Sequence, residues 1–361
     1  MTDARATPAL GVARRWPLLV APLIVAAVLV VGAALWLRGP LAPFGSPAVS
    51  PGPSPAVSEF GSNQPAPLEV TGVFIEPGDG RWPLLDEIDA ARTSIDVAVY
   101  LISDEIVLGA LEDARRRGVS VRVILEEHPF GGAGGQEAIF ARLEEAGIAV
   151  RWGNSVFRFT HIKVMIVDNA VAVIMNQNIT ASAFTSNRDF GVVTTRPDAV
   201  LTAAAIFAAD WTRGAEPDPE PLVVSPTNAR ARLLGLVQGA QLTLDCYAEV
   251  LRDPEMLGAL AAAEARGVAV RVVVSPGAEF AAERRALTAA GVDVRLANGL
   301  YIHAKVIVAD GERAFIGSQN LSATSLDQNR ELGIIIDDAV NLARVARTFE
   351  IDFRAGSAEG R

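Results

Sequence analysis

An α/β fold made of two similar halves, carried behind an apolar N-terminal span, is what this sequence predicts. From residue 95 onward, short runs rich in Val, Ile and Leu alternate with longer helix-like stretches, the pattern of strands and helices stacked in layers. Blocks of the first half return in the second at a nearly fixed offset, which marks an internal duplication. Ahead of both halves, Trp16 to Leu37 carries no charge and is mostly Leu, Val, Ala and Ile.

Residues 1–15 hold Arg5, Arg14 and Arg15, while Arg38 alone closes the apolar run. A helix over 16–38, rising roughly 1.5 Å per residue, is long enough to cross a hydrocarbon core of about 30 Å. The basic excess on its N-terminal side predicts that residues 1–15 stay in the cytoplasm and that the body lies outside, at the cell membrane. The run is longer than the apolar region of a cleaved signal peptide, so an uncleaved single-pass transmembrane anchor is expected. Residues 39–67 contain eight prolines among Gly, Ser and Ala. Such a segment cannot bury enough apolar surface to fold and forms an extended linker. The two halves then occupy 68–215 and 216–361.

In the first half the sequence predicts strands over 95–100 and 119–126, with a helix over 105–117 between them. A helix over 136–146 ends at Gly147, a residue suited to a left-handed cap. Strands over 161–167 and 171–175 flank the turn signal Asp168-Asn169, and a helix over 199–213 closes the half. The second half repeats this order as strand 241–247, helix 253–266, strand 269–275, helix 280–290, strands 303–309 and 313–318, and helix 339–354. The blocks that return include Arg117-Gly118-Val119 as Arg266-Gly267-Val268, and Phe207-Ala208-Ala209-Asp210-Trp211 as Phe349-Glu350-Ile351-Asp352-Phe353. Matching positions are 149 apart early in each half and 142 apart later. Phe207, Trp211, Phe349 and Phe353 stand at helical spacing and belong to the core.

Half of the residues are apolar and the net charge is −10, so sizeable cores are possible and the broad positive field of a general nucleic-acid binder is lacking. Cys246 is the one cysteine, so no intrachain disulfide forms, and the sequence has no Cys/His cluster of zinc-site type.

The chain has two lysines, and each follows a histidine by two positions, in His161-Ile162-Lys163 and His303-Ala304-Lys305. A compact ammonium beside an imidazole suits chemistry on an anion. On a strand, His161, Lys163 and Met165 share one face, as do His303, Lys305 and Ile307. Asp168 and Asp310 come five residues after the lysines, followed by Asn178 and Asn320, and then by Asn187-Arg188-Asp189 and Asn329-Arg330-Glu331. These residue types suit group transfer on an anion, and on a phosphodiester, the substrate class that the resemblance given below implies, the roles divide in two. A neutral imidazole attacks phosphorus and forms a phosphohistidine, and a protonated one gives its proton to the departing alkoxide. Lys163, Lys305, Asn178 and Asn320, with Ser318 in the same segment, are candidates to hold the phosphate oxygens. Asp189 and Glu331 are candidates to orient the imidazoles. Asp168 and Asp310 stand in the catalytic set, although aspartate is equally at home in a strand-end turn. No metal or other cofactor is expected, because two ammonium groups supply the positive charge.

The pattern H-x-K-x4-D-x6-G-S-x-N resembles the signature of the phospholipase D superfamily, in particular its membrane-anchored, cardiolipin synthase-like bacterial members. The second copy, from His303 to Asn320, matches in full. The first departs at Met175 and Asn176, where the family has Gly and a small residue; glycine permits a close backbone approach that methionine fills. The resemblance covers roughly residues 70 to 355. It implies two pseudo-symmetric α/β/α repeats packed around one shared active-site cleft, with His161 as the nucleophile and His303 as the acid. It also implies phospholipid substrates, hydrolysed or transferred to an alcohol. An endonuclease of the same superfamily and a degenerate phosphate-binding scaffold are the alternatives. His128, in a glycine-rich loop that is a candidate lid, is expected at the surface. Phe157, Phe159 and Tyr301 precede the motif histidines; they are candidates to line an acyl or base-stacking surface, although packing in the core is the commoner fate of such residues.

Overall fold

The computed structural model describes residues 71–130 and 135–359. The expected N-terminal tail, transmembrane span and linker lie outside the described residues. Among the described residues, no helix is long and apolar enough to cross a membrane.

The first half opens with β1 (Thr71–Glu76), α1 (Trp82–Ala90), β2 (Ser94–Val99) and α2 (Glu105–Arg116). It continues through β3 (Ser120–Leu125), α3 (Gln136–Glu145), β4 (Ala149–Trp152), β5 (Lys163–Val167) and β6 (Val171–Met175). It closes with α4 (Ala181–Thr185), β7 (Asn187–Thr194) and α5 (Pro197–Thr212). The second half runs in the same order through β8 (Val223–Ser225), α6 (Ala229–Gly239), β9 (Thr243–Tyr247), α7 (Pro254–Ala265) and β10 (Ala269–Val274). There follow α8 (Ala281–Ala289), β11 (Asp293–Leu296), β12 (Tyr301–Ile302), β13 (Val306–Ala309) and β14 (Arg313–Gly317). The last elements are α9 (Ala323–Asp327), β15 (Glu331–Ile336), α10 (Ala339–Ala355) and β16 (Ser357–Ala358).

Local chemistry explains the helix ends. Asp104 caps α2 by accepting from Val107 N–H at 3.2 Å, and Asp253 caps α7 by accepting from Met256 N–H at 3.0 Å. Gly147 follows α3 with a φ of 73°, the left-handed conformation expected of it.

The strands form two mixed sheets, one in the order β1-β7-β6-β5-β2-β3-β4 and the other β16-β11-β10-β9-β13-β14-β15-β8. Alternation along the strands divides the cores. Val164 and Ile166 of β5 join a central core with Val306 and Val308 of β13, to which α5 and α10 contribute Phe207 and Phe349. Met165 and Val167 point the other way, into an outer core under α1 and α2. The second half builds its own outer core under α6 and α7. Each half is therefore a sheet between helices, and the central core joins the two.

Two expected strands begin later than their motifs. β5 starts at Lys163 and β13 at Val306, so both histidines precede their strands instead of lying on them. Lys163 and Met165 keep the common face, but neither histidine is placed by that periodicity. A crossed connection places them. β12 pairs in parallel with β7 of the other half, setting Ile302 against Arg188. An isolated parallel bridge sets Thr160 against Arg330 in the corresponding way. Arg330 accepts from His161 N–H at 2.9 Å through its carbonyl, and Arg188 accepts from His303 N–H at 3.2 Å.

Candidate active site

The crossed bridges dictate which acid meets which histidine. His161 follows Thr160 and Glu331 follows Arg330, so these two side chains become neighbours across the halves. Nδ1 of His161 lies 2.7 Å from Oε2 of Glu331, and Nδ1 of His303 lies 2.7 Å from Oδ1 of Asp189. Each imidazole is thus held by a carboxylate from the opposite half, and both carboxylates are fully buried. A carboxylate at Nδ1 fixes the tautomer with the proton there and leaves Nε2 as the reactive nitrogen. Both histidines line one cavity of about 370 Å³, together with Asn178, Asn320, Tyr100, Glu249 and Tyr301. The Oδ1 atoms of Asn178 and Asn320 are buried without a hydrogen-bond partner, so neither carboxamide oxygen is committed to the fold.

Both lysines stand behind their histidines. Lys163 Nζ donates to the His161 carbonyl at 2.7 Å and lies 5.1 Å from the centre of the Tyr100 ring. Lys305 Nζ donates to the His303 carbonyl and to Oε2 of Glu249, each at 2.5 Å. That same Glu249 oxygen stands 3.8 Å from Nε2 of His303. Its other oxygen accepts from the Tyr301 hydroxyl at 3.2 Å.

These contacts set the charges. Burial, aided by the charges of Lys163 and Lys305, pushes His161 down to about 4 despite Glu331. Lys163 is also pushed well below the usual lysine range, chiefly by burial. For Glu249 burial works upward, but Lys305 and His303 outweigh it and hold the carboxyl well below its ordinary value. Glu331 is lowered as well, because His161 and Lys163 overcome its burial.

Three expected site residues are elsewhere engaged. The Asp168 carboxylate accepts from the N–H groups of Arg92, Thr93 and Ser94 at 2.7–2.9 Å, and from the Thr93 hydroxyl. Asp310 does the same for Gln241, Leu242 and Thr243 at 2.7–3.1 Å. Both adopt positive φ, at 53° and 56°, in the turns after β5 and β13. These contacts give both aspartates a structural role, the turn alternative, with their lone pairs engaged at the start of the neighbouring strand. Ser318 is fully buried, and its Oγ accepts from Leu332 N–H at 3.0 Å. It braces β14 against β15 and is not among the cavity-lining residues.

The first motif's departure has a structural cause. Asn176 Nδ2 donates to the carbonyls of Gly317 at 2.6 Å and Lys305 at 3.2 Å, and its Oδ1 accepts from Phe190 N–H at 2.9 Å. The substitution ties the first half to the main chain beneath Lys305. Met175 is accommodated in the outer core, and its cross-strand partner is Gly191, where an added Cβ would fall 2.0 Å from the Phe74 ring.

Glu249 and Tyr100 were not singled out from the sequence. The available signal was the repeat itself, which aligns these unlike residues 149 apart. His128 is exposed, as expected, beside a second groove of about 840 Å³ that also includes Val156, Phe157 and Arg158. Phe130 and Phe159 line both spaces, so the groove adjoins the cavity that holds both histidines. Phe159 and Tyr301 thus face the site, contrary to the core packing expected of them.

Residues 84–211 and 233–353 match the family model described as "Cardiolipin synthase, PLD-like domain". A cardiolipin synthase of Geobacillus kaustophilus is 26% identical over 320 residues, covering 75% of this chain and 63% of that protein. A phospholipase D of Rickettsia bellii is 29% identical over 147 residues, covering 40% of this chain and 70% of that protein. Among solved structures, phosphatidylserine synthase of Haemophilus influenzae superposes with a TM-score of 0.63 at 12% identity, covering 79% of this chain and 87% of that one. Polyphosphate kinase of Porphyromonas gingivalis does so with 0.64 at 16% identity, covering 79% and 47%; likenesses at such identity speak for the fold alone. With both halves of the duplication matched and a histidine–lysine pair in each, the chain belongs to the cardiolipin synthase-like branch of the phospholipase D superfamily.

Proposed function

We propose that this chain is a phosphodiesterase of phospholipase D type that moves a phosphatidyl group from a phospholipid to water or to an alcohol. The observation that carries the reading is the pair of imidazoles, each held at Nδ1 by a buried carboxylate of the opposite half, with both rings in one cavity. His161, neutral down to about pH 4, attacks phosphorus through Nε2. The P–N bond forms as the bond to the leaving oxygen breaks, and protonated His303 gives that oxygen its proton. In the second step His303 takes a proton from water or an alcohol, whose oxygen attacks phosphorus and releases His161. Asn178 and Asn320, which line the cavity, hold the non-bridging oxygens, and the two lysines behind the histidines add positive charge where negative charge is concentrated in the transition state. An anionic phosphate beside Lys163 favours its charged form and offsets the burial that depresses it.

The names of the curated relatives and the apolar residues of the adjoining groove (Phe130, Val156, Phe157 and Phe159) support a lipid substrate. The segment 16–38 supports a membrane anchor with the body outside the cytoplasm. The test incubates the full chain in detergent with a mixed phospholipid panel and plasmid DNA in EDTA, beside His303→Ala. Release of head group by the parent and not by the variant is the expected result. DNA cleavage without lipid turnover moves the reading to a nuclease, and silence on both substrates from a folded protein leaves a phosphate-binding scaffold.

A further inference from the structure

The two orienting carboxylates do not have equal surroundings. Glu331 is fully satisfied: Oε2 meets His161, while Oε1 accepts from Ser325 Oγ at 2.5 Å and from Asn329 Nδ2 at 2.9 Å. Asp189 has one oxygen on His303, but its Oδ2 is buried with no partner. The duplication explains part of the shortage, since the counterpart of Asn329 is kept as Asn187 and that of Ser325 is not. Ser325 corresponds to position 183, 142 residues earlier, which is Ala183 and has no hydroxyl to offer. A carboxylate that orients a catalytic imidazole is thus left, on one side only, with a fully buried and unsolvated lone pair.

A compensating exchange lies on the neighbouring strand. Directly across from Glu331 in the β8–β15 ladder stands Ser225; directly across from Asp189 in the β1–β7 ladder stands Glu76. These positions are 149 apart and equivalent in the repeat. Glu76 is fully buried; its Oε2 accepts from Gly80 N–H at 2.8 Å, and its Oε1 has no partner. Cross-strand partners have Cβ atoms about 5 Å apart, within reach for two carboxyl groups. Two buried carboxyls on facing positions resist joint ionisation, and a proton shared between them would give both orphaned oxygens a partner.

We propose that Glu76 is a positioning residue for His303: its carboxyl keeps its proton and donates it to Oδ2 of Asp189, supplying the donor that Ser325 gives Glu331 in the other half. This rests on the phosphodiesterase reading only insofar as His303 is catalytic. The charged groups around Glu76 agree with it. Burial pushes Glu76 up to about 8, and Asp79 and Asp189 add to this, against the Gly80 N–H and the charge of Arg81. Arg188, on the strand beside it, donates to the Glu76 carbonyl and spends its charge on Asp352 of α10.

Glu76→Gln tests the shared proton, because the amide copies the protonated acid: one oxygen accepts from Gly80 and the NH2 group donates to Asp189. The full chain in detergent is assayed with bis(p-nitrophenyl) phosphate across pH and is melted at each pH, beside Glu76→Ala. In the parent, Glu76 retains a proton that the unfolded chain releases above 4.5, so its contribution to stability falls as pH rises from 4.5 to about 8. Glu76→Gln therefore melts higher than the parent at alkaline pH, with the difference vanishing in mild acid. Turnover falls about tenfold in Glu76→Ala, is restored in Glu76→Gln, and stays high in the latter at alkaline pH where the parent declines. A melting difference independent of pH, or a Gln variant as slow as the Ala variant, overturns the proposal. Should Glu76→Ala fail to fold, the Gln profile alone decides. A parent inactive on the diester counts against the phosphodiesterase reading, and the melting series still decides the shared proton.

Discussion

Tyr100 and Glu249 occupy equivalent positions of a duplicated chain, and their difference separates the two histidines chemically. The Tyr100 ring meets His161 edge-on at 4.7 Å and offers no negative charge to compete with incoming phosphate. Glu249 instead places a carboxylate beside Lys305 and 3.8 Å from His303 Nε2. It braces the Lys305 ammonium and opposes anions in the same cavity. Glu249→Gln should therefore bind inorganic phosphate about tenfold more tightly as an inhibitor, while turnover falls. Phosphate inhibition unchanged from the parent, measured at matched ionic strength, would contradict this role. For His161 the lowered value carries a sign. Between its ordinary 6.5 and about 4, the folded protein binds fewer protons here than the unfolded chain. Its contribution to stability is therefore lost as pH falls through that window, but the ring stays neutral, as the nucleophile role proposed for it requires. A burst of phosphoenzyme that persists in mild acid is expected in rapid-quench experiments, and a burst that vanishes near the ordinary histidine value would point to the other ring. The two histidine–lysine pairs were legible because lysine is so rare in this chain. The crossed pairing of His161 with Glu331 was not, since nothing in the spacing within one half says that its acid serves the other.

Among the elements, the hairpins β5–β6 and β13–β14 were readable from apolar runs around Asp168 and Asp310, yet those aspartates do more than turn the chain. Asp168 gathers three consecutive N–H groups ahead of β2, and burial fails to raise it because those donors hold it down to about 2. Asp168→Ala is expected to cost ~1–3 kcal/mol by leaving those donors without their acceptor. Turnover per folded molecule, measured well below the melting temperature, should remain near the parent value; a large loss in kcat without a loss in stability would return Asp168 to the catalytic set. In acid, its contribution fades as pH falls from 3.8 towards about 2. β7, β8 and β12 went unread for two reasons. β7 begins Asn187-Arg188-Asp189, so the residues that lock and orient the site disguise a strand as a polar loop. β8 has three residues and β12 two, too short for any periodicity to appear. β12 exists because β7 of the other half offers it an edge, which is tertiary context and no property of its own sequence.

The molecule as a whole is held together by the same crossed strands that build its site. Arg330, almost fully buried, reaches across to Asp210 of the first half at 2.7–3.0 Å and also meets Glu216, at the start of its own half, at 2.7 Å, under the Phe157 ring. Arg188 does the same with Asp352 at 2.7 and 3.0 Å, and Asp352 also accepts from the Tyr247 hydroxyl at 2.6 Å. These arginines sit one residue before the orienting acids, so coupling between the halves and assembly of the site are one structural event. Removing a single partner from so buried a pair leaves the other charge stranded. Arg330→Ala should therefore destabilise by ~3–5 kcal/mol, with Asp210 as the stranded group. Replacing both partners by apolar residues of similar volume, as in Arg330→Met with Asp210→Leu, should recover much of that loss. The bridge between Thr160 and Arg330 is made by main chain, so the double variant should also regain His161 placement and turnover. Urea unfolding of the two variants beside the parent, followed by fluorescence and by activity, checks both parts. A double variant as unstable as Arg330→Ala would show that the arginine acts by more than neutralising its acids. Separation of the fluorescence and activity transitions in Arg330→Ala would show that the halves can fold apart once the lock is broken, with the site lost first because each histidine depends on the opposite half.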